Sequence, residues 1–264
     1  TNIERVRGSD GDDIIIGDEF SNKLEGGAGD DYINPGDNAD FDDIIGGAGN
    51  DTIDFSDIET GYAHVNYGQL NSGIQVNVDG VNNSGSVNKG FNGVDAILEV
   101  SNPLSFAQGI GGFGVIGTYF DDSISIHTDF DQWIQVRGDA GVDNYSISGD
   151  GYVRLDMSGA DHGVNVDLAT KVINDDGYGN TETYSGAFWE VLATHYGDAI
   201  LGSTSDESFI LRGGNDTLDG GAGFDRIRYD RNGVEGGIDA NLADGVITGV
   251  WDGEAFEHFV TNIE

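Results

Sequence analysis

The sequence contains no cysteine, only 2 prolines and only 11 lysines and arginines among its 264 residues. Without cysteine, neither a disulfide framework nor a cysteine-based zinc site can stabilise the fold. The scarcity of cationic side chains argues against nucleic acid as a direct partner, because neutralising phosphates requires clustered Lys and Arg. No stretch approaches the roughly 18 consecutive apolar residues of a membrane-spanning helix, so we expect no transmembrane segment.

Acidic residues and glycine are abundant instead. The chain carries 48 Asp and Glu, a formal net charge of -37 and 44 glycines. Such a charge normally prevents folding, because the chain repels itself and buries too little apolar surface. Aliphatic and aromatic residues nevertheless recur at regular intervals, which argues against a solvated acidic tail. A cation bound by oxygen ligands is the remaining way to neutralise the carboxylates.

A nine-residue repeat runs through residues 8–54 and is broken only at Pro35-Gly36. Its units read GSDGDDIII, GDEFSNKLE, GGAGDDYIN, DNADFDDII and GGAGNDTID. The eighth position is always Ile or Leu, which predicts one inward-facing side chain per repeat. The sixth positions are Asp13, Asn22, Asp31, Asp42 and Asp51.

The same frame returns twice further along the chain. An uninterrupted run covers residues 193–228, and its sixth positions are Asp198, Glu207, Asp216 and Asp225. A degenerate run covers residues 117–146, and its sixth positions are Asp122, Asp131 and Asp143. In this run Trp133 occupies an eighth position, which predicts a core residue.

Glycine at positions one, two and four allows tight left-handed turns that leave carbonyl oxygens uncovered. Calcium takes 6 to 8 oxygens and accepts both carboxylates and carbonyls, so such a turn followed by Asp suits Ca²⁺. We therefore predict that the sixth-position side chains of all three runs bind metal. The predicted backbone ligands belong to Gly26, Ala28, Gly46, Ala48, Gly213, Gly220 and Ala222.

Three units, GGAGDDYIN, GGAGNDTID and GGAGFDRIR, match the nonapeptide GGxGxDxUx almost letter for letter. In these residues the chain resembles the RTX, or hemolysin-type calcium-binding, repeat family. The resemblance implies an all-β fold, a right-handed parallel β-roll (solenoid) in which two nonapeptides make one coil and several Ca²⁺ ions lie between coils. Ligands about eighteen residues apart should then share an edge, namely Asp13 with Asp31, Asp31 with Asp51, Asp198 with Asp216, and Glu207 with Asp225. We expect weaker or missing ions at Asn22, at Glu207 and at the turn His195-Tyr196-Gly197.

Small β-rich lobes are expected to interrupt the ladders, because each ladder is followed by a short alternating strand such as GIQVNV, GVNVDL or GIDANL. We expect three ladder-plus-lobe cycles in one continuous elongated unit. They cover residues 1–104 (ladder 8–54), residues 105–194 (degenerate ladder 117–146) and residues 195–264 (ladder 193–228).

The resemblance implies a secreted or cell-surface module of a larger bacterial protein exported by type I secretion, which serves as a structural, secretion or adhesion scaffold. We expect no enzymatic activity in the chain itself, because HExxH, GxSxG and Walker-type motifs are absent. One alternative is a module that binds polysaccharide or a cell surface, for which Trp251 is the best candidate for an exposed contact and Trp189 the second. Another alternative is a polysaccharide lyase or epimerase.

Overall fold

The computed structural model describes residues 3–37, 41–58, 61–99, 112–129, 132–230 and 233–264. Apart from one 3-10 helix at Gly90–Asn92, the regular structure of these residues is β-strand. The predicted ligand Asp131 lies outside the described residues. The strands are β1 Arg5–Arg7, β2 Ile14–Ile16, β3 Lys23–Ala28, β4 Tyr32–Asn34, β5 Phe41–Ala48, β6 Thr52–Asp54, β7 Tyr62–Asn66, β8 Gln75–Asp79, β9 Ser84–Asn88, β10 Val94–Leu98, β11 Gly112–Ile116, β12 Ser123–Thr128, β13 Trp133–Arg137, β14 Asn144–Gly149, β15 Tyr152–Asp156, β16 Asn165–Asp167, β17 Val172–Asp175, β18 Glu182–Ser185, β19 Glu190–Leu192, β20 Ala199–Leu201, β21 Ser208–Ile210, β22 Thr217–Asp219, β23 Arg226–Ile227, β24 Asp239–Asn241, β25 Val246–Trp251 and β26 Glu254–Thr261.

The chain forms two compact units. Unit 1 comprises Thr1–Gly138 with Asp143–Val153, and unit 2 comprises Asp139–Val142 with Arg154–Glu264. No helix in the described part of the chain is long and apolar enough to cross a membrane. The division into three ladder-plus-lobe cycles stays a prediction.

Unit 1 is a parallel β-roll with two sheets. One sheet has the order β1-β3-β5-β7-β11-β13, and the other has the order β2-β4-β6-β10-β9-β8-β12-β14. Successive coils place strands of alternate number in the same sheet, as a solenoid requires. Strand β9 is antiparallel to both β8 and β10. The first predicted lobe therefore continues the second sheet.

Unit 2 repeats this arrangement. One sheet pairs β15 from Arg154 onward with β19, and continues with β21 and β23. The other has the order β18-β17-β16-β20-β22-β26-β25-β24. Its ladder strands β20, β22 and β26 are parallel, whereas β16-β17-β18 and β24-β25-β26 pair antiparallel. The all-β parallel β-roll is confirmed.

The eighth-position side chains form buried ladders. In unit 1, Leu24 lies opposite Ile44, and Ile44 lies opposite Val65 in the next coil. These three side chains are at most 1% exposed. Burying an aliphatic side chain of this size stabilises the fold by about 1.5–3 kcal/mol, so the ladder contributes substantially to each coil. The pattern continues in unit 2 through Ile200 and Leu218.

The middle unit of the degenerate run, which contains Trp133, is shifted by one residue from the predicted frame, whereas the eighth-position residues of the other two units, Ile124 and Tyr145, are buried as predicted. Ile134 is fully buried, whereas the neighbouring Trp133 is only partly buried, so the prediction that Trp133 lies in the core is wrong. The reason is the pairing of β13 with β11, which places Ile134 opposite the buried Phe113. Trp133 instead packs edge-on against Tyr62, with ring centroids 5.2 Å apart.

Candidate metal-binding turns

The sixth-position side chains lie where each turn enters its strand, and they link successive coils. The backbone N–H of Asp13 donates to Asp31 Oδ1 at 2.9 Å, and that of Asp31 donates to Asp51 Oδ1 at 3.1 Å. In unit 2, Asp198 N–H donates to Asp216 Oδ1 at 2.9 Å. The structure therefore brings together these three predicted same-edge pairs. It also joins Glu207 to Asp225 and, across Pro35-Gly36, Asn22 to Asp42.

In those turns of the three runs that begin with glycine, an oxygen of the sixth-position side chain faces that glycine. A Cβ built on Gly26 would lie 2.2 Å from Asp31 Oδ2 and 2.5 Å from the carbonyl oxygen of Gly46. The same construction on Gly8 places Asp13 Oδ2 at 2.5 Å and the carbonyl oxygen of Gly26 at 2.3 Å. A carboxylate oxygen and a carbonyl oxygen from the next coil therefore converge beside both of these glycines.

Some of these turns are closed by their own hydroxyl groups. In unit 1, Thr118 donates its N–H to Asp122 Oδ2 at 2.7 Å and its hydroxyl to Asp122 Oδ1 at 3.0 Å. Ser9 donates both its N–H and its hydroxyl to Asp13 Oδ2, at 2.6 and 2.9 Å. Because the second position holds Ser or Thr, the carboxylate is satisfied inside the turn. We call these the closed turns, and they also include Thr194 with Asp198 and Ser203 with Glu207.

Other turns leave a buried carboxylate oxygen without a hydrogen-bond partner among the described residues. These oxygens are Oδ2 of Asp31, Asp216 and Asp225, and each of the three residues is at most 2% exposed. The turns of Asp31 and Asp225, which we call the open turns, both have the sequence GGAG at positions one to four. Oδ2 of Asp216 lies 3.2 Å from His258 Nε2 but without hydrogen-bond geometry.

Backbone conformation separates the two kinds of turn. The second glycine of each open turn has a positive φ, 121° at Gly27 and 93° at Gly221. Ser and Thr avoid this region because their Cβ would clash. The residue at position two therefore decides both the path of the backbone and the presence of a hydroxyl that can bind the carboxylate.

Burial raises the pKa of several sixth-position carboxyl groups. It raises the pKa of Asp216 to about 8, of Asp42 to about 7 and of Asp198 to about 6, from the 3.8 of an exposed aspartate. The pKa values of Asp31 and Asp225 are also raised, again mainly by burial. Without a bound cation, these carboxyl groups are therefore protonated more readily in the folded chain than exposed carboxyl groups would be.

We expect acid to stabilise the calcium-free β-roll. Because the folded-state pKa values lie above those of the unfolded chain, the folded state binds more protons over the range from about pH 4 to about pH 8, so the free energy of unfolding rises as pH falls. With calcium bound the sign reverses, because protons then compete with the ion for the carboxylates. In chelator, far-UV circular dichroism at several pH values should show β-structure increasing as pH falls, whereas in excess calcium, urea unfolding at several pH values should show the free energy of unfolding decreasing as pH falls. The same direction of change in both conditions would contradict this reading.

The turns suit a cation that prefers oxygen ligands and is coordinated largely by backbone carbonyl groups. No cluster of three or more His, Cys, Asp or Glu side chains that could hold a metal occurs in residues 3–264 outside the gaps given above. Any ion must therefore draw on carbonyl oxygens, which suits calcium and not zinc. Of the predicted backbone ligands, the carbonyls of Gly26, Gly46 and Gly220 face the glycine of the preceding coil. The roles of Ala28, Ala48, Gly213 and Ala222 stay predictions.

Three further residues occupy ladder positions that the nonapeptide frame missed. Asp95 accepts the N–H of Asp51 at its Oδ1, at 3.0 Å, so it continues the row of Asp13, Asp31 and Asp51. The segment Gly90-Phe91-Asn92-Gly93-Val94-Asp95 is a turn of the same kind with an incomplete consensus. Its Gly, Gly and Asp at the first, fourth and sixth positions could have indicated it from the sequence. Gln132 accepts the N–H of Asp129 and donates to the Gly80 carbonyl, so an amide replaces a carboxylate there. His258 follows Asp216 in register, since β26 pairs with β22.

The two tryptophans predicted to contact a ligand are covered to different degrees. Trp251 is only 4% exposed, so the expectation of an exposed ring is wrong. The ring packs beside Gly233 and under the guanidinium of Arg212, which lies 5.2 Å from its centroid. Trp189 is partly buried, and Arg226 lies 5.0 Å from its ring centroid.

Comparison with known proteins places the repeats in one family. The model of the RTX calcium-binding nonapeptide repeat matches in four copies, at residues 7–41, 38–54 and 196–228. No curated protein matches the chain significantly. Among solved structures, the crystal structure of the extracellular lipase LipA from Serratia marcescens is similar, at 17% identity and a TM-score of 0.24. That match covers 98% of this chain and 38% of the lipase chain.

Proposed function

Because the chain carries RTX calcium-binding nonapeptide repeats, we propose that it is an extracellular β-roll module that folds when Ca²⁺ fills its open turns. The repeats make it a calcium-binding β-roll. The formal charge of -37 supplies the reason for coupling, since the carboxylate rows repel one another until cations neutralise them. Ion binding then contributes directly to the free energy of folding.

The observation that carries this proposal is the unpartnered oxygen of the open turns. Oδ2 of Asp31 and Oδ2 of Asp225 are buried and have no hydrogen-bond donor among the described residues. Leaving a charged group buried without a partner costs several kcal/mol, so these oxygens call for a cation. A calcium ion beside Gly26 would contact Oδ2 of Asp31 and a backbone carbonyl oxygen of the next coil. The closed turns have no such need.

Position two of the turn should therefore decide where ions bind. We expect Ser9→Gly to convert the closed turn of Asp13 into an open one, because it restores the full GGxGxD pattern and removes both the hydroxyl and the Cβ. Equilibrium dialysis with radioactive calcium should count one ion more than in the wild-type chain. Ser9→Ala is the matched control, since it removes the hydroxyl but keeps the Cβ. An unchanged ion count in a folded Ser9→Gly variant would refute the rule.

The proposed role is that of a calcium-triggered scaffold. Extracellular modules bind calcium at about 10⁻⁴–10⁻³ M, well above resting cytosolic levels, so the module would stay unfolded until export. A module that folds only after export fits a longer protein that is exported by type I secretion. Within that protein, the module would have a structural or adhesive role outside the cell. We also propose that the chain itself is not catalytic and that any enzymatic activity resides in other parts of that protein.

A binding role for unit 2 is the second candidate. A cavity of about 360 Å³ is lined by His195, Arg212, Trp251, Asp252 and Glu254. Cationic, anionic and aromatic groups together are typical of sites that bind polar ligands such as sugars. Because Trp251 is buried, the ligand would contact Arg212 and the carboxylates rather than stack on the indole. Glycan-array binding that Arg212→Ala abolishes would support this role, and an array without any binding would remove it.

Far-UV circular dichroism during a calcium titration tests the proposed function. A chelated sample should change cooperatively from coil to β-structure as calcium is added, and magnesium at the same concentration should not replace it, because Mg²⁺ demands octahedral geometry and keeps its waters. A chain that is fully folded in chelator would contradict metal-coupled folding.

A further inference from the structure

Lys89 is a lysine whose side chain is completely buried at the end of the first ladder. Its side chain is 0% exposed, although it carries an ammonium group. Nζ donates to Asp51 Oδ2 at 2.9 Å and to the carbonyl oxygen of Gly47 at 2.8 Å, and it lies 2.5 Å from Asp95 Oδ1. A buried ammonium is tolerated only when it is fully paired, and here all three N–H groups have oxygen partners.

The oxygens around Nζ are the kinds that a calcium ion would use. One carboxylate comes from the turn of Asp51, one from Asp95 in the following coil, and one oxygen is a carbonyl of the turn itself. The turn of Asp51 reads GGAG and has a positive φ of 105° at Gly47, as in the open turns. The two turns differ at the acidic oxygen, since Asp31 Oδ2 has no hydrogen-bond partner among described residues and Asp51 Oδ2 binds Lys89.

Register confirms that Asp95 belongs to the same row as Asp51. Strand β10 pairs in parallel with β6, with Ala96 opposite Thr52, so the residues before them, Asp95 and Asp51, occupy equivalent positions. The N–H of Asp51 donates to Asp95 just as that of Asp31 donates to Asp51. Tyr67 fixes the other oxygen of Asp95 through a hydrogen bond of 3.0 Å. The pocket that contains Nζ is therefore one more coil-to-coil position of the ladder.

We propose that the Lys89 ammonium takes the place of a calcium ion at the turn of Asp51, so that the first ladder ends in a cation supplied by the chain itself. The turn then needs no metal, although its sequence matches the nonapeptide as closely as that of any other turn. This inference rests on the proposed calcium-binding function. With Lys89 in this role, the number of bound calcium ions is smaller than the number of turns that match the nonapeptide.

Unit 2 also places a side-chain nitrogen beside the last carboxylate of one edge of its ladder, although it comes from a different ladder position than Lys89. His258 follows Asp216 in register as Asp95 follows Asp51, and its Nε2 lies 3.2 Å from Asp216 Oδ2. His258 is fully buried, and Tyr229 hydroxyl lies 2.7 Å from its Nδ1. A nitrogen from the closing strand therefore faces the last carboxylate of this edge as well.

The test compares Lys89→Ala with Lys89→Met by counting bound calcium in equilibrium dialysis. Alanine removes the ammonium and vacates its space, and we expect this variant to bind one ion more than wild type and to gain more thermal stability from calcium than wild type does. Methionine removes the charge but fills the space, and we expect it to gain no ion and to be less stable at every calcium concentration. Terbium luminescence sensitised by Tyr67 should rise in Lys89→Ala and fall again when Tyr67→Phe is added.

The possible outcomes separate this inference from the proposed function. A wild-type chain that binds no calcium would refute the proposed function itself. If wild type binds calcium but folded Lys89→Ala gains no ion, only the role of Lys89 is refuted. The same holds if Lys89→Ala stays unfolded up to about 10 mM calcium, tenfold above the range of extracellular modules, because calcium then fails to fill the vacated pocket.

Discussion

Asp31→Ala is expected to raise the calcium concentration at which unit 1 folds by at least about tenfold, which corresponds to about 1.4 kcal/mol. It should also remove one bound ion. The side chain of Asp31 supplies a carboxylate oxygen that faces Gly26, and this buried Oδ2 has no hydrogen-bond donor among the described residues. Alanine takes this charge away while the carbonyl oxygens remain. Calcium-dependent circular dichroism and equilibrium dialysis measure the two effects.

Asp122→Ala is the matched control for this variant. Asp122 also occupies a sixth position in unit 1 and is 3% exposed, against 2% for Asp31. Its oxygens accept hydrogen bonds from Thr118, so its removal should cost stability at all calcium concentrations without changing the ion count. Equal shifts in calcium dependence for the two variants would show that open and closed turns do not differ in metal binding.

Glu190→Gln should reduce the free energy of unfolding of unit 2 by about 3–5 kcal/mol, the usual cost of breaking a buried ion pair. Glu190 is 0% exposed and binds Arg154, while its other oxygen accepts hydrogen bonds from Ser208 at 2.7 Å and Arg228 at 2.9 Å. Burial alone would raise the pKa of Glu190, but Arg154 and Arg228 hold it below its usual value. Neutralising the carboxylate leaves the buried guanidinium of Arg154 without its counter-charge.

Urea unfolding of Glu190→Gln in excess calcium, followed by tryptophan fluorescence, measures this loss. Glu257→Gln makes the same change at an exposed position in strand β26 and should alter stability by less than about 0.5 kcal/mol. A loss for Glu190→Gln as small as that of the control would mean that the cluster around Glu190 contributes little to the fold.

The repeat pattern predicted the fold because two kinds of position recur at a fixed spacing. The buried ladder through Ile33 and Ile53 and the contact of Asp31 with Asp51 both follow from the nine-residue frame. Such positions are decided locally, since every coil must bury one aliphatic residue and align its turn with the next. The frame failed only where the consensus residues are replaced, as in the unit that contains Trp133.

The contents of each turn were harder to predict, because they depend on side chains that are distant in sequence. Lys89 reaches Asp51 from 38 residues away, and no property of the nonapeptide indicates it. The polar residues next to Trp251 in the sequence predict an exposed ring, but the pairing of β25 with β26 and the approach of Gly233 cover it. The hydroxyl of the closed turns, in contrast, was visible in the sequence at position two.

Anomalous diffraction from a crystal grown with terbium in place of calcium would test the central claim most directly. Terbium is a hard cation with oxygen preferences like those of calcium, so it marks calcium positions one by one. We expect peaks beside Asp31 and Asp225, and none beside Asp13, Asp122, Asp198 or Glu207, where the turn supplies its own donors. Peaks of similar height at both groups of turns, or no peak at Asp31 and Asp225, would contradict this claim.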